Sequence, residues 1–157
     1  MSTLLEKEIK VNRIVTTNIG HARAIDDPAR AKIIEILYHQ TLSADQISTA
    51  LKKFGYKKAL TTVRHHLEIL KNSGLIEIAR IEESRGAITK FYSTSTKLLD
   101  FQTPENFDAT YSKVIDNTST KIEKILKALG PKTSKSNNKK SAEYSQYLVM
   151  EIMNRAM

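Results

Sequence analysis

The sequence predicts a mainly α-helical fold carrying one β-hairpin. Two observations lead there. Between Asp27 and Gly74, apolar residues recur at helical spacing in three successive segments, each bounded by capping chemistry. After Gly74 the period drops to two, and a run rich in isoleucine and aromatic residues turns back on itself around Ser84-Arg85-Gly86. The chain has 157 residues, 40% hydrophobic and 27% charged. That is room for one domain with additional helices, and too apolar a composition for a disordered chain.

The elements follow in order. The N-terminal segment, 1–24, is apolar at mixed spacing (Leu5, Ile9, Ile14, Val15, Ile19) and is expected to be helical, although the alternation Ile9, Val11, Arg13 leaves a short strand open for part of it. Asp27-Pro28 places an N-cap acceptor before a proline suited to the first helical position. Ile33, Ile34, Ile36 and Leu37 then form a broad apolar stripe, with the helix ending near His39-Gln40. Ser43 and Gln46 have the spacing of a capping box for a second helix, which buries Ile47, Ala50, Leu51 and Phe54 and stops at Gly55. A third helix starts at Leu60 or Thr61 and runs to Asn72 or Ser73. It carries Val63, Leu67 and Leu70 on one face, and Thr61, Arg64, His65 and Glu68 on the other. Leu75–Glu82 and Ala87–Ser95 read as the two strands of the hairpin.

Beyond Lys97, residues 98–130 hold a long helix from about Asn106 to Leu129. Its apolar seam of Tyr111, Val114, Thr118, Ile122, Ile125 and Leu129 is narrow, as suits pairing with another helix. Gly130-Pro131 ends it. Residues 131–141 read as a basic linker and 142–157 as a final amphipathic helix rich in Tyr and Met.

Composition narrows the function. With no cysteine there is no disulfide, thiolate metal site or cysteine nucleophile. No apolar stretch approaches the roughly 20 residues of a membrane span, and the first ten residues lack the apolar core of a signal peptide, so a cytoplasmic protein is expected. The five glycines form no phosphate loop, and His21 and His39 lack a nucleophile partner; catalysis is not expected. The net charge of +8 is unevenly placed: residues 52–97 hold 10 basic and 4 acidic side chains, whereas 1–51 are balanced. One basic region on an otherwise balanced domain is the footprint of a polyanion binder.

Three helices followed by a hairpin is the order of a winged helix-turn-helix, and three segments make the likeness specific. Asp27-Pro28-Ala29-Arg30 with Ile33, Ile34 and Leu37 resembles the first-helix signature of ArsR-type regulators. Leu42-Ser43-Ala44-Asp45-Gln46-Ile47 resembles their second helix. Thr62 to Ile76 resembles their recognition helix and the Gly-Leu-Ile step into the wing. The likeness spans about residues 25–95 and departs at Lys53–Leu60, which is longer than the usual turn between the second and third helices. It also departs in lacking the family's metal-sensing cysteines, and no His follows His66, so neither metal nor another cofactor is expected.

The resemblance implies a recognition helix in the major groove of double-stranded DNA. Thr61, Thr62, Arg64 and His65 are then the groove candidates, with Arg64 matching guanine O6 and N7. Lys57 and Lys58 are candidate phosphate anchors, while Arg85 at the wing tip and Lys90 behind it are candidate wing contacts. Ordinary alternatives stand beside these: Arg64 paired with Glu68, Arg85 as a solvated turn residue, and His66 as a structural residue hydrogen-bonded near the hairpin. The seam from Tyr111 to Leu129 implies a homodimer, and the apolar final helix either folds back onto the dimer or docks a further protein. A dimeric repressor is the expected function. The alternative is a winged-helix module binding protein or RNA within an assembly.

Overall fold

The structure, a computed structural model, describes residues 2–15, 18–130 and 138–157, with side chains beyond the linker described from Ala142 onward. The chain divides into two compact units, Met1–Leu99 and Asp100–Met157.

The first unit is a winged helix-turn-helix. Its helices are α1 (Ile19–Asp26), α2 (Pro28–Leu37), α3 (Ala44–Lys53) and α4 (Leu60–Asn72). Its strands are β1 (Ser2–Glu6), β2 (Leu42–Ser43), β3 (Ile76–Ser84) and β4 (Ala87–Thr94), in the sheet order β1-β3-β4-β2 with antiparallel pairing throughout.

Capping chemistry sets the helix boundaries. The Asp27 carboxylate accepts from the Ala29 and Arg30 amides at 2.8 and 3.2 Å, and Pro28 follows at the first helical position. Burial pushes the Asp27 carboxyl upward, but those two amide hydrogen bonds, helped by the charge of Arg30, bring its pKa below the ordinary value. Ser43 and Gln46 form the reciprocal capping box of α3. At the end of α4 the chain enters positive φ at Gly74, and the Leu75 amide returns to the Leu70 carbonyl. The core lies where the four helices meet the root of the hairpin: Ile33, Ile34, Leu37, Ile47, Leu51, Val63, Leu67, Leu70, Leu75 and Ile76 are almost fully buried. Phe54, expected in that core, is instead the exposed C-cap of α3, with the Lys32 ammonium 4.6 Å from its ring.

The N-terminal segment corrects the sequence reading. Residues 1–24 do not form a helix throughout; Ser2–Glu6 is a strand on the outer edge of β3, and helix begins only at Ile19. The nine-residue β3 reaches well past the root of the hairpin, and β1 covers part of its open edge, so tertiary pairing overrides the local spacing. The Asn18 side chain, which accepts from the Gly20 and His21 amides, marks the true helix start. Between strand and helix the chain returns to the sheet, where the Asn12 amide donates to the Ser95 carbonyl and Arg13 bridges Thr96.

The hairpin turn is tighter than expected. Ser84 pairs with Ala87, leaving only Arg85 and Gly86 in the loop, both at positive φ (52° and 79°), as a type I′ turn requires. A bulge at Ala79 shifts the register between Ile78 and Arg80.

The second unit contains α5 (Phe107–Thr110), α6 (Ser112–Leu129) and α7 (Asn138–Ala156), with α7 packed against α6. The long helix expected from Asn106 leaves helical geometry at Tyr111 (φ −108°, ψ 17°), where the Tyr111 and Phe107 rings are 4.8 Å apart. Much of the expected linker, residues 131–137, lies outside the described residues, and its last part is already the first turn of α7.

Asp27→Ala should lower the unfolding free energy by about 1 kcal/mol, within the ~0.5–2 kcal/mol range of lost N-caps, while Asp27→Asn should cost little. Urea denaturation of the three proteins checks this.

Candidate nucleic-acid interface

Helix α4 has two distinct faces. Val63, His66, Leu67 and Leu70 are buried, whereas Thr61, Arg64, His65 and Glu68 are exposed. Thr62 is half-buried and offers less of its side chain to a partner than Thr61 does. Lys57 and Lys58 are exposed in the connection before α4.

Glu68 pairs with Lys71 at 3.1 Å rather than with Arg64. Among the described residues, no carboxylate forms an ion pair with Lys57, Lys58, Arg64, Arg85 or Lys90. Arg80, also in the hairpin, is occupied differently: it meets Glu82 at 3.0 Å, and its guanidinium lies 4.1 Å from the Phe91 ring. Arg64 on α4 and Arg85 and Lys90 in the wing thus carry charge that no carboxylate compensates among the described residues, unlike Lys71 and Arg80.

Lys52 and Lys53, at the C-terminal end of α3, are also exposed and were not among the sequence candidates. The signal was available, since they form one basic run with Lys57 and Lys58. The wing places Arg85 at its tip and Lys90 on β4, both exposed. Gly86 next to Arg85 eases the turn, but Arg85 itself adopts the left-handed backbone that side chains disfavour.

Beneath α4, His66 is buried and structural, as expected, but its partner is not near the hairpin. Its Nδ1 lies 3.2 Å from Arg30 Nη1 on α2. A guanidinium only donates, so His66 accepts at Nδ1 and is neutral in this arrangement. Burial lowers its pKa most, and the charges of Arg30, His65 and Lys58 act in the same direction against the opposing pull of Asp27. His65 and His66 have ring centroids 6.5 Å apart. Among the described residues no group of three His, Asp or Glu side chains is placed to hold a metal ion.

Residues 25–79 match a family model described as a helix-turn-helix domain, so the class of this domain is the one its geometry displays. Solved structures are similar at a distance. One is the homodimeric winged helix-turn-helix DNA-binding domain of a possible ArsR-family transcriptional regulator from Mycobacterium bovis, 19% identical, covering 66% of this chain and 80% of that one with a TM-score of 0.38. HlyU from Vibrio cholerae is 18% identical over 64% of this chain and 90% of its own, with a TM-score of 0.39. An ArsR-like transcriptional regulator from a Rhodococcus species is 16% identical over 74% and 92%, with a TM-score of 0.36. No curated protein matches the sequence. Among the described residues no helix is long and apolar enough to cross a membrane.

The neutral, buried His66 makes stability depend on pH. Its folded pKa lies below the ordinary 6.5, so between those two values the unfolded chain binds more protons. Stability should therefore be fully present above pH 6.5 and decline as the pH falls through the folded value. Urea midpoints from pH 7.5 down to pH 5 check this, and His66→Gln should flatten the decline.

Proposed function

We propose that this protein is a sequence-specific double-stranded-DNA-binding transcriptional regulator that acts in the cytoplasm as a homodimeric repressor. One observation carries the reading: the exposed face of α4, the connection before it and the wing present cations that no carboxylate engages among the described residues. An α-helix fits the major groove, and the fork of Arg64 suits a guanine edge, with Thr61 and His65 beside it and Thr62 in a lesser role. Lys57 and Lys58 neutralise phosphates next to the groove; Arg85 and Lys90 meet the backbone or the minor groove from the wing. Repression needs no further parts, because a small dimer seated on a promoter blocks polymerase.

The dimer reading rests on the second unit. Phe107, Tyr111, Val114 and Ile115 are all substantially exposed, Val114 to 60%, although they lie on the apolar side of α5 and α6. Thr118 lies on the same seam with its hydroxyl already donated to the Val114 carbonyl at 2.6 Å. Ile122, Ile125 and Leu129 continue the seam and are half-buried within the single chain. Pairing with the same helices of a second copy covers the exposed half. Tyr144, Tyr147 and Ile152 on α7 are exposed as well and add to the apolar surface available to the second copy or a further protein.

DNA affinity should fall steeply with salt, by about 0.9 in log–log slope for each phosphate neutralised. Arg64→Ala should cost about 1–3 kcal/mol on the preferred site and less on random duplex, whereas Lys57→Ala should weaken both alike. Fluorescence anisotropy across a salt series measures these effects, and a salt-independent affinity would sink the proposal.

Val114→Glu alters a position that solvent already reaches in one chain, so folding should persist. Sedimentation at micromolar concentration should show a dimer for the parent and a monomer for the variant. The variant should also bind an inverted repeat, with half-sites about one helical turn apart or a multiple of it, far more weakly than the parent does.

A further inference from the structure

Residues 52–58 lead from the end of α3 to the start of α4 and concentrate positive charge. No Asp or Glu occurs between Asp45 and Glu68, a stretch that holds Lys52, Lys53, Lys57, Lys58 and Arg64. The four lysines are exposed, and among the described residues none of them forms an ion pair. Their backbone is nevertheless fixed. The Tyr56 amide returns to the Leu51 carbonyl at 2.9 Å and the Gly55 amide to the Lys52 carbonyl at 3.1 Å, with Gly55 at φ 89°, which together close a Schellman motif. Tyr56 packs against the helical core and anchors the segment from within.

We propose that this segment is a preformed strip for the sugar–phosphate backbone, in which Lys52 and Lys53 extend the phosphate contacts of Lys57 and Lys58 to the end of α3. The strip rests on the double-stranded-DNA reading and adds a sequence-independent part to it. Helix polarity gives an ordinary reason for lysines in the last turn of α3, where the dipole favours cations. It gives none for Lys57 and Lys58, which precede α4 at its positive end. Four like charges in one closed connection repel one another in the free chain, and a polyanion removes that cost while releasing its own counterions.

The chemistry of the strip selects phosphates over base edges. Lysine is a point charge on a flexible stem, whereas the planar fork that can read guanine belongs to Arg64. Phe54, exposed to 57% between Lys53 and Lys57, adds an apolar face that a deoxyribose can cover. Its ring is steadied by the Lys32 ammonium at 4.6 Å, while that ammonium pairs with Glu35. Continuity favours DNA over an acidic protein, since the segment runs directly into the helix that presents Thr61, Arg64 and His65.

Fluorescence anisotropy of the full chain on its preferred site and on a random duplex, each across a salt series, tests the strip. Lys52→Ala with Lys53→Ala should weaken both duplexes alike and lower the log–log salt slope by about 1.8, the value for two phosphates. Lys10→Ala with Lys113→Ala removes the same charge from exposed positions outside the strip and should leave the slope within about 0.5 of the parent. All four side chains are exposed, so urea midpoints should match the parent and separate lost contacts from lost folding. An unchanged slope for the strip variant overturns the proposal, as does an equal loss in the two double variants or a loss confined to the preferred site. A parent that binds neither duplex at about 50 mM salt overturns the DNA reading itself.

Discussion

The helical domain is organised around one guanidinium. Arg30, on the first turn of α2, donates through Nε to the Ala24 carbonyl at 2.6 Å, through Nη2 to the Arg23 carbonyl at 3.3 Å, and through Nη1 to His66 at 3.2 Å. The two carbonyls belong to the last turn of α1, where backbone acceptors lack intrahelical partners. Arg30 thus closes α1 from outside while tying α2 to the buried face of α4. Lysine could not replace it, because an ammonium on a flexible stem cannot hold three acceptors in one plane. Asp27 completes the junction by capping α2 and lying 3.9 Å from the same guanidinium. The buried face of α4, opposite Arg64 and His65, is therefore tied to the start of α2 through His66, Arg30 and Asp27.

This accounts for what could be read from the sequence. Asp27-Pro28, Ser43 with Gln46, and Gly74 each act within a few residues, so α2, α3 and α4 were legible with their boundaries nearly intact. His66 was recognisable as structural from its place beside the core face, but Arg30 lies 36 residues away and left no periodic trace. The strand at Ser2–Glu6 was missed because its partners, Arg80 to Glu83, are remote and its own five residues are all exposed. No alternation of buried and exposed positions existed there to be read. Lys57, Lys58, Arg64, Arg85 and Lys90 were legible as exposed cations; what they bind depends on groups that are not in the chain.

The wing combines occupied and unoccupied charge. Arg80 is held by Glu82 and the Phe91 ring, while Arg85, at the tip, has no carboxylate partner among the described residues. Tyr92 is buried at the root of the hairpin, where burial and then the charge of Glu68 raise its pKa and keep the phenol protonated. The root is thus fixed to the helical core, and the tip is left polar and solvated.

The pairing of Ser2 with Glu83 joins the two ends of a very long stretch of chain. Closing so large a loop carries an entropy penalty that the local β3–β4 ladder does not bear. The hairpin and helices can form from nearby contacts, whereas β1 must wait for a finished edge to dock on. It is accordingly the strand on whose pairing the rest of the fold depends least. Because the Lys7 amide, just beyond the strand, donates to the carbonyl of the bulged Ala79, the open edge of β3 is covered only for as long as this short docked segment stays in place.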